Sequence, residues 1–313
     1  MVYMLCLLVN FLRLNSATIT ENKYKVVTKT LIQNHAASFL SSSTWKTKLG
    51  CATACDNSDC LSFSYNSATR ECKTYRDEIC HRDDGVTSST VSFYVKNTIL
   101  EDLNHCGEVP SVYCSAVYTV NPSQYGAFDV YCDMDTAGGP WTIVTNRYDG
   151  TVNFYESWDK YKNGFGSLTG EYWLGFEKYR ILQTQNLKMR IEMGGWDGSL
   201  KYVEYTSLIV SSESSDYSLW YTGFSTPHGL GDKLDEAINM PFTTYNRDND
   251  DNDDGNCADS ATGAWWYGNC YSSNLFGQRV NADGYQAMVW KYFYPDGGEY
   301  SALKSVRMML AKP

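Results

Sequence analysis

A chain of 313 residues, 43% of them hydrophobic and 15% aromatic, has ample material for packed cores, which excludes a mostly disordered protein. At roughly 150 residues per domain it should hold two domains. Its 26 Lys and Arg against 36 Asp and Glu leave a net charge of −10. That argues against nucleic acid, whose phosphates demand basic stripes, and favours cations as partners.

In chain order, the first feature is the apolar run MVYMLCLLVNFLRL, followed by the small residues Ser16 and Ala17. It reads as a signal peptide over residues 1–17 and is too short to span a bilayer. No other stretch is long and apolar enough for a membrane span. Cleavage near Ala17 would remove Cys6 and leave ten of the 11 cysteines. An even count in a secreted, extracellular chain reads as disulfides. N-glycosylation is not expected, because Asn121 is followed by Pro.

The next segment holds Cys51, Cys55, Cys60, Cys72 and Cys80. Lys23 to Leu31 is strand-like, Cys60 to Tyr65 alternates like a strand, and VSFYV at 91–95 reads as a closing strand. Cys51 and Cys55 are one helical turn apart and can share a face. No Cys-x-x-Cys or matched His ligands are present, so structural disulfides are favoured over zinc or redox chemistry. The pattern C-x3-C…C-x-S-F-S-Y…C resembles the PAN/apple family, small extracellular α+β modules that bind proteins or sugars. The boundary falls near Leu100, giving domains over 18–100 and 101–313.

The second segment holds Cys106, Cys114, Cys132, Cys257 and Cys270. Asp149-Gly150 lies between Trp141–Thr145 and Val152–Tyr155, and Asp197-Gly198 between Met189–Met193 and Tyr202–Tyr205. Asp-Gly between alternating runs predicts a hairpin in each case. A helix is expected over Phe176–Thr184, and residues 246–284, rich in Asp, Asn and Gly, should form loops pinned by a disulfide. Catalytic patterns are thin. His35, His81, His105 and His228 are scattered, there is no G-x-S-x-G, and Gly164-Phe-Gly166 lacks the lysine of a phosphate loop. Asp and Glu are plentiful enough that a carboxylate pair for glycoside hydrolysis stays open, but an enzyme is not expected.

Several motifs then point to a family. Val130-Tyr-Cys-Asp-Met-Asp, Tyr161 to Gly175 (YKNGFGSLTGEYWLG), Gly255-Asn-Cys-Ala258, Gly263 to Cys270 (GAWWYGNC), Ser273-Asn-Leu and Ser301-Ala-Leu-Lys-Ser resemble the fibrinogen C-terminal domain. That is the module of ficolins, tenascins and angiopoietins, and the likeness covers residues 101–313. Pro140 stands where the family has a third Gly, and Cys114 is extra. Together the two resemblances imply an α+β chain of two disulfide-stabilised modules, the second with a central antiparallel sheet and a long-loop calcium and ligand region.

The acidic stretch Asp248 to Asp254 carries five Asp in seven residues. Alone it reads equally as a solvated loop or as oxygen ligands for a hard cation. An EF-hand fails, because the twelfth position is Ala261 and not Glu. The resemblance implies calcium held by the Asp248 and Asp250 carboxylates and two backbone carbonyls. Counting from Asp248 selects Asn252 and Asp254; counting from Cys257 selects Asp253 and Gly255. The family also implies a cis Asn269–Cys270 peptide beside a pocket for acetylated sugars, matching Ala261, Asn269, Cys270, Tyr271, Asn281, Ala282 and Phe293 here. Trp265, Trp266, Tyr267 and Tyr271 read equally as core. The implied pairings are Cys51–Cys72, Cys55–Cys60, Cys106–Cys132 and Cys257–Cys270, leaving Cys80 and Cys114 to bridge the domains or two chains. The leading expectation is a calcium-dependent lectin for glycans or acetylated ligands, in innate immunity. The alternative is an extracellular-matrix or receptor-binding protein without sugar binding, and either is compatible with a homo-oligomer.

Overall fold

The computed structural model describes residues 24–27, 39–44, 51, 62–75, 91–96, 103–110, 113, 115–122 and 126–313. The leader, the helical spacing of Cys55, the pair Cys55–Cys60, and both Cys80 and Cys114 lie outside these residues. The chain divides into two compact units, Met1–Glu101 with Pro110–Ser115 and Asp102–Val109 with Ala116–Pro313.

The first unit is built on strands β1 (Tyr24–Val27), β2 (Phe39–Thr44), β3 (Ser62–Asn66), β4 (Glu71–Tyr75) and β5 (Val91–Lys96). They form an antiparallel sheet in the order β1-β5-β3-β4-β2. The strands expected near residues 23, 62 and 91 are β1, β3 and β5. Between β3 and β4 the Asn66 side chain accepts the amides of Ala68 and Thr69, an Asx turn that closes the hairpin. A disulfide joins Cys51 to Cys72 of β4, and both cysteines are buried.

The second unit continues with β6 (Ala116–Val120), β7 (Phe128–Asp133), β8 (Trp141–Arg147), helix α1 (Trp158–Asn163), β9 (Phe165–Gly166), β10 (Tyr172–Trp173) and helix α2 (Phe176–Gln183). There follow β11 (Lys188–Gly195), β12 (Leu200–Val210), β13 (Leu219–Ser225), helix α3 (Cys257–Ser260), β14 (Ser273–Asn274), β15 (Val289–Trp290) and β16 (Leu303–Ala311). A nine-stranded sheet runs β13-β12-β11-β16-β8-β10-β9, with β7 also on β8 and β6 on β7. Its neighbouring strands are antiparallel, and β14 pairs with β15 apart from it.

The sequence of β11 explains how this sheet is held. In Lys188-Met-Arg-Ile-Glu-Met193, successive side chains point to opposite faces. Met189, Ile191 and Met193 are buried with Val203 and Tyr205. Arg190 and Glu192 alternate with them and pair across strands, Arg190 with Glu204 at 2.8 Å and Glu192 with Arg307 at 2.5 Å. The Arg190 guanidinium also lies 4.4 Å from the Trp141 ring and 4.1 Å from the Tyr202 ring. Helix α2 buries Phe176, Tyr179 and Leu182, three residues apart on one face, and the Tyr179 hydroxyl donates to the Leu208 carbonyl of β12 at 2.8 Å.

Rings fill the space beyond the sheet. Phe176 stacks on Tyr217 with centroids 4.5 Å apart, Phe242 meets Trp266 at 5.1 Å, and Phe276 meets Trp173 at 5.3 Å and Trp265 at 5.1 Å. Such pairs add to the area each ring removes from water. Several Tyr and Trp polar tips are bonded where they end in the core, as in Trp266 Nε1 to the Tyr217 carbonyl at 2.7 Å and Tyr161 hydroxyl to the Phe154 carbonyl at 2.6 Å. The buried Trp196 Nε1, by contrast, has no hydrogen-bond partner among the described residues.

The Asp197-Gly198 turn joins β11 and β12 as the sequence predicts. The Asp149-Gly150 hairpin does not form. The turn is present, but the buried Glu171 carboxylate accepts the amides of Tyr148, Asp149, Gly150 and Val152 at 2.5, 2.8, 2.9 and 3.0 Å. The donors that a returning strand would use are taken, and β8 pairs with β7, β10 and β16 instead.

Candidate functional site

The region after β13 carries the acidic loop, α3, a disulfide and the short β14–β15 pair. Helix α3 starts because the Asn256 side chain accepts the amides of Ala258 and Asp259. Its first residue, Cys257, is bonded to Cys270 across 13 positions, and the Asn269–Cys270 peptide is cis. Asn274 lies behind this segment and donates to the Ala261 carbonyl at 3.5 Å. Glycine is required nearby, since a Cβ on Gly277 would stand 2.3 Å from the Ala287 carbonyl oxygen.

The acidic loop is ordered by its own side chains. Asp248 accepts the Asp250 amide at 3.3 Å, and Asp250 accepts the amides of Asn252 at 3.0 Å and Cys257 at 2.9 Å. Asn252 donates to the Gly255 carbonyl at 2.7 Å and accepts the Asp254 amide at 3.3 Å. Asp250 therefore ties the loop to the start of α3. Burial, opposed by those amides, together with the neighbouring Asp248 carboxylate raises the Asp250 pKa above its ordinary value. Two carboxylates held side by side, one half-buried, are a donor set of oxygens that suits a hard divalent cation. Among the described residues no group of three or more His, Cys, Asp or Glu side chains converges as a metal cluster; further ligands would have to be backbone carbonyls or water.

At the foot of the loop, the Tyr155 hydroxyl donates to Asp259, and its ring lies 4.9 Å from Tyr245. Burial and that carboxylate push the Tyr155 pKa up to about 12. Sequence reading missed this pair, because the partners are more than a hundred positions apart and carry no local pattern.

The residues expected to line a sugar pocket differ in exposure. Asn269, Asn281 and Ala282 are exposed and Cys270 is half-buried. Ala261, Tyr271 and Phe293 are 0%, 5% and 0% exposed. The Tyr271 ring is packed by Tyr267, Tyr285 and Tyr300 at 5.8, 4.9 and 5.8 Å, and its hydroxyl donates to the Tyr285 carbonyl. Burial raises its pKa far above that of an ordinary phenol. Phe293 is covered by Tyr294 at 5.0 Å and by the Lys201 ammonium 4.6 Å above its ring. The surface ring face at Tyr271 and apolar wall at Phe293 that the sequence suggested are thus interior contacts, because neighbouring rings and a lysine occupy the volume.

The sequence profile for the fibrinogen beta and gamma chains, C-terminal globular domain, matches residues 104–313. The chain belongs to that family. Its fibrinogen-like unit is 41% identical over 187 residues to Fibrinogen C domain-containing protein 1 of Macaca fascicularis, covering 56% of this chain and 43% of that protein. Against human Angiopoietin-related protein 7 the identity is 39% over 166 residues, covering 52% of this chain and 47% of that one. The chain thus spans less than half the length of these curated relatives. Among solved structures, the fibrinogen-like globe domain of human ANGPTL2 matches with a TM-score of 0.59 and 36% identity, over 63% of this chain and 92% of that chain. Lamprey fibrin D-dimer, solved with the peptide Gly-His-Arg-Pro-amide, matches with a TM-score of 0.60 and 27% identity, over 67% of this chain and 73% of that one.

Proposed function

We propose that the protein is an extracellular recognition protein whose fibrinogen-like unit binds a partner protein, a receptor or a matrix component, rather than an acetylated sugar. The observation that carries this reading is the burial of Ala261, Tyr271 and Phe293. A sugar pocket needs a concave, accessible wall with free polar groups, and the Tyr271 hydroxyl is already bonded to the Tyr285 carbonyl. Similarity to the ANGPTL2 globe domain and to a fibrin solved with a peptide ligand supports a protein or peptide partner. Disulfides support an oxidising compartment, and among the described residues no helix is long and apolar enough to cross a membrane. The role is binding without catalysis.

Calcium belongs to the same proposal. The Asp248 and Asp250 carboxylates would hold it, with backbone carbonyls from residues 252–255 completing the set. The raised pKa of Asp250 supports this, since a cation would offset first the burial and then the neighbouring Asp248 charge that disfavour its ionised form. The N-terminal unit, read as a PAN/apple-like module, would add a second binding surface on the same chain. The test is an array of recombinant ectodomains, matrix proteins and acetylated glycans probed with the folded chain in calcium. Saturable binding to protein spots supports the proposal, and binding restricted to acetylated glycans rejects it.

A further inference from the structure

Asp-Gly steps are chemically labile points of a polypeptide in water. The glycine amide nitrogen can attack the Asp side-chain carboxyl carbon, because no glycine side chain hinders it. A C–N bond forms, a C–O bond breaks, and water leaves with the amide proton and the carboxyl oxygen. Water then opens the cyclic imide at either carbonyl. One opening restores Asp, and the other leaves isoaspartate, an isomer of equal mass in which the main chain runs through Cγ and is one methylene longer.

The described residues contain five Asp-Gly steps, at 149, 197, 254, 283 and 296, and one Asn-Gly step at 163, which reacts by the same route with loss of ammonia. The structure separates them by two requirements, a free side-chain carboxyl and a free glycine amide. Asp149 accepts the Thr151 amide at 2.9 Å and its hydroxyl at 2.7 Å, and the Gly150 amide donates to Glu171. Asp197 accepts the Ser199 amide at 2.9 Å and its hydroxyl at 2.6 Å. Asp283 accepts the Ala302 amide at 2.9 Å. Asn163 donates to the Asp159 carbonyl, and the Gly164 amide closes the end of α1 on Lys160, both at 2.8 Å.

Asp254 differs. It is exposed, and its carboxylate takes no hydrogen bond among the described residues, although its amide is bonded to Asn252. The Gly255 amide has a long bond of 3.3 Å to the Asn252 carbonyl, against 2.8–3.2 Å for the other five glycines. As at Gly198 and Gly284, no heavy atom lies within 4 Å of the Gly255 Cβ position, so it is the free carboxylate and the long amide bond that set this step apart. Asp296 also has a free carboxylate, but its glycine amide is bonded at 3.1 Å to Tyr294, and the Gly297 Cβ position is 2.6 Å from Ser301 Oγ. We infer that, among the steps in the described residues, Asp254-Gly255 is the first site of spontaneous isoaspartate formation in the folded protein, with Asp296-Gly297 second and the other four steps protected; Asp84-Gly85 lies outside the described residues.

The consequence is local and specific. An extra methylene between residues 254 and 255 lengthens the loop that Asp250 holds to Cys257 by a 2.9 Å bond, and it leaves a free α-carboxylate in an already acidic stretch. The fold elsewhere is untouched, so the aged form should keep the stability of the sheet.

The experiment is incubation of the full chain at pH 7.4 and 37 °C without added metal, followed by enzymatic isoaspartyl methyl labelling and peptide mapping. A portion unfolded in guanidinium serves as the intrinsic rate standard. The expected result is that, among the six described steps, label accumulates first in the peptide containing residue 254, next in that containing 296, and stays near background at 149, 163, 197 and 283; the peptide containing Asp84-Gly85 is quantified separately. In the unfolded portion all six described steps become reactive. The variant Asp254→Glu, whose imide would need a larger ring, should lose the first signal and leave the second. Equal labelling of folded and unfolded chains, or faster labelling of 149, 163, 197 or 283 than of 254, overturns the inference. A folded Asp254→Glu chain that keeps the label in that peptide does so as well.

Discussion

At the residue scale, single side chains hold segments that hydrophobic pattern alone would have placed elsewhere. Glu171 collects four backbone amides, and the buried Arg147 donates from Nη1 to the carbonyls of Leu275 and Gly277 at 2.7 and 2.8 Å. Burial lowers the Arg147 pKa to about 10, and Glu171 opposes that shift. Glu171→Gln removes the counter-charge and replaces an acceptor with a donor. Leaving a buried donor without its acceptor costs about 1–3 kcal/mol, and guanidinium unfolding of the native chain and the variant should show a loss of at least that size. His105 gives a pH test. Burial lowers its pKa despite the nearby Glu108, with Lys312 adding to the shift, and its neutral Nδ1 accepts the Gly107 amide at 3.0 Å. A depressed histidine contributes stability that is fully present above its ordinary value of 6.5 and is lost as pH falls through the lowered one. The unfolding free energy should therefore fall more steeply below pH 6.5 in the native chain than in His105→Gln.

At the scale of elements, strands and helices with a strong local pattern were legible. The alternation in Met189–Met193, the Asp197-Gly198 turn and the apolar spacing of Phe176, Tyr179 and Leu182 each depend on neighbours close in sequence. The Asp149-Gly150 hairpin failed because Glu171, about twenty residues away, competes for its amides, and no local rule reports such a competitor. The sugar-pocket reading rested on matched positions. Matching shows where Tyr271 and Phe293 stand in the chain but not that Tyr285, Tyr300 and Lys201 cover them. The Tyr155–Asp259 contact was invisible for the same reason.

Two predictions belong to the loop elements. Replacing Cys257 and Cys270 with Ala should cost about 3 kcal/mol by the chain-entropy estimate for a loop of this length, seen as a drop in the denaturation midpoint. Calcium should stabilise the fibrinogen-like unit. Extracellular sites have dissociation constants near 10⁻⁴–10⁻³ M, and tenfold saturation adds about 1.4 kcal/mol. Melting with calcium and with chelator should differ by a few degrees, and Asp248→Asn with Asp250→Asn should erase the difference. Since Asp250 has a raised pKa, its contribution to the metal-free fold is present below its ordinary value and is lost as pH rises through the raised one. The gain from calcium should accordingly grow between those limits and toward neutral pH.

At the scale of the whole molecule, a fibrinogen-like unit carries its acidic loop and disulfide on a sheet whose ring-filled core leaves the expected sugar walls inside. For the proposed protein partner, exposed side chains such as Tyr245, Trp220 and Tyr292 offer aromatic contact area of the kind that interfaces favour. The most direct measurement is saturation-transfer NMR on the intact chain in calcium, with acetylated monosaccharides and, in parallel, a purified protein partner taken from the array. The account predicts no saturation transfer to any acetyl methyl, while the partner protein shows transfer across its interface. Transfer to an acetyl methyl that disappears in a folded Tyr271→Ala chain would contradict it.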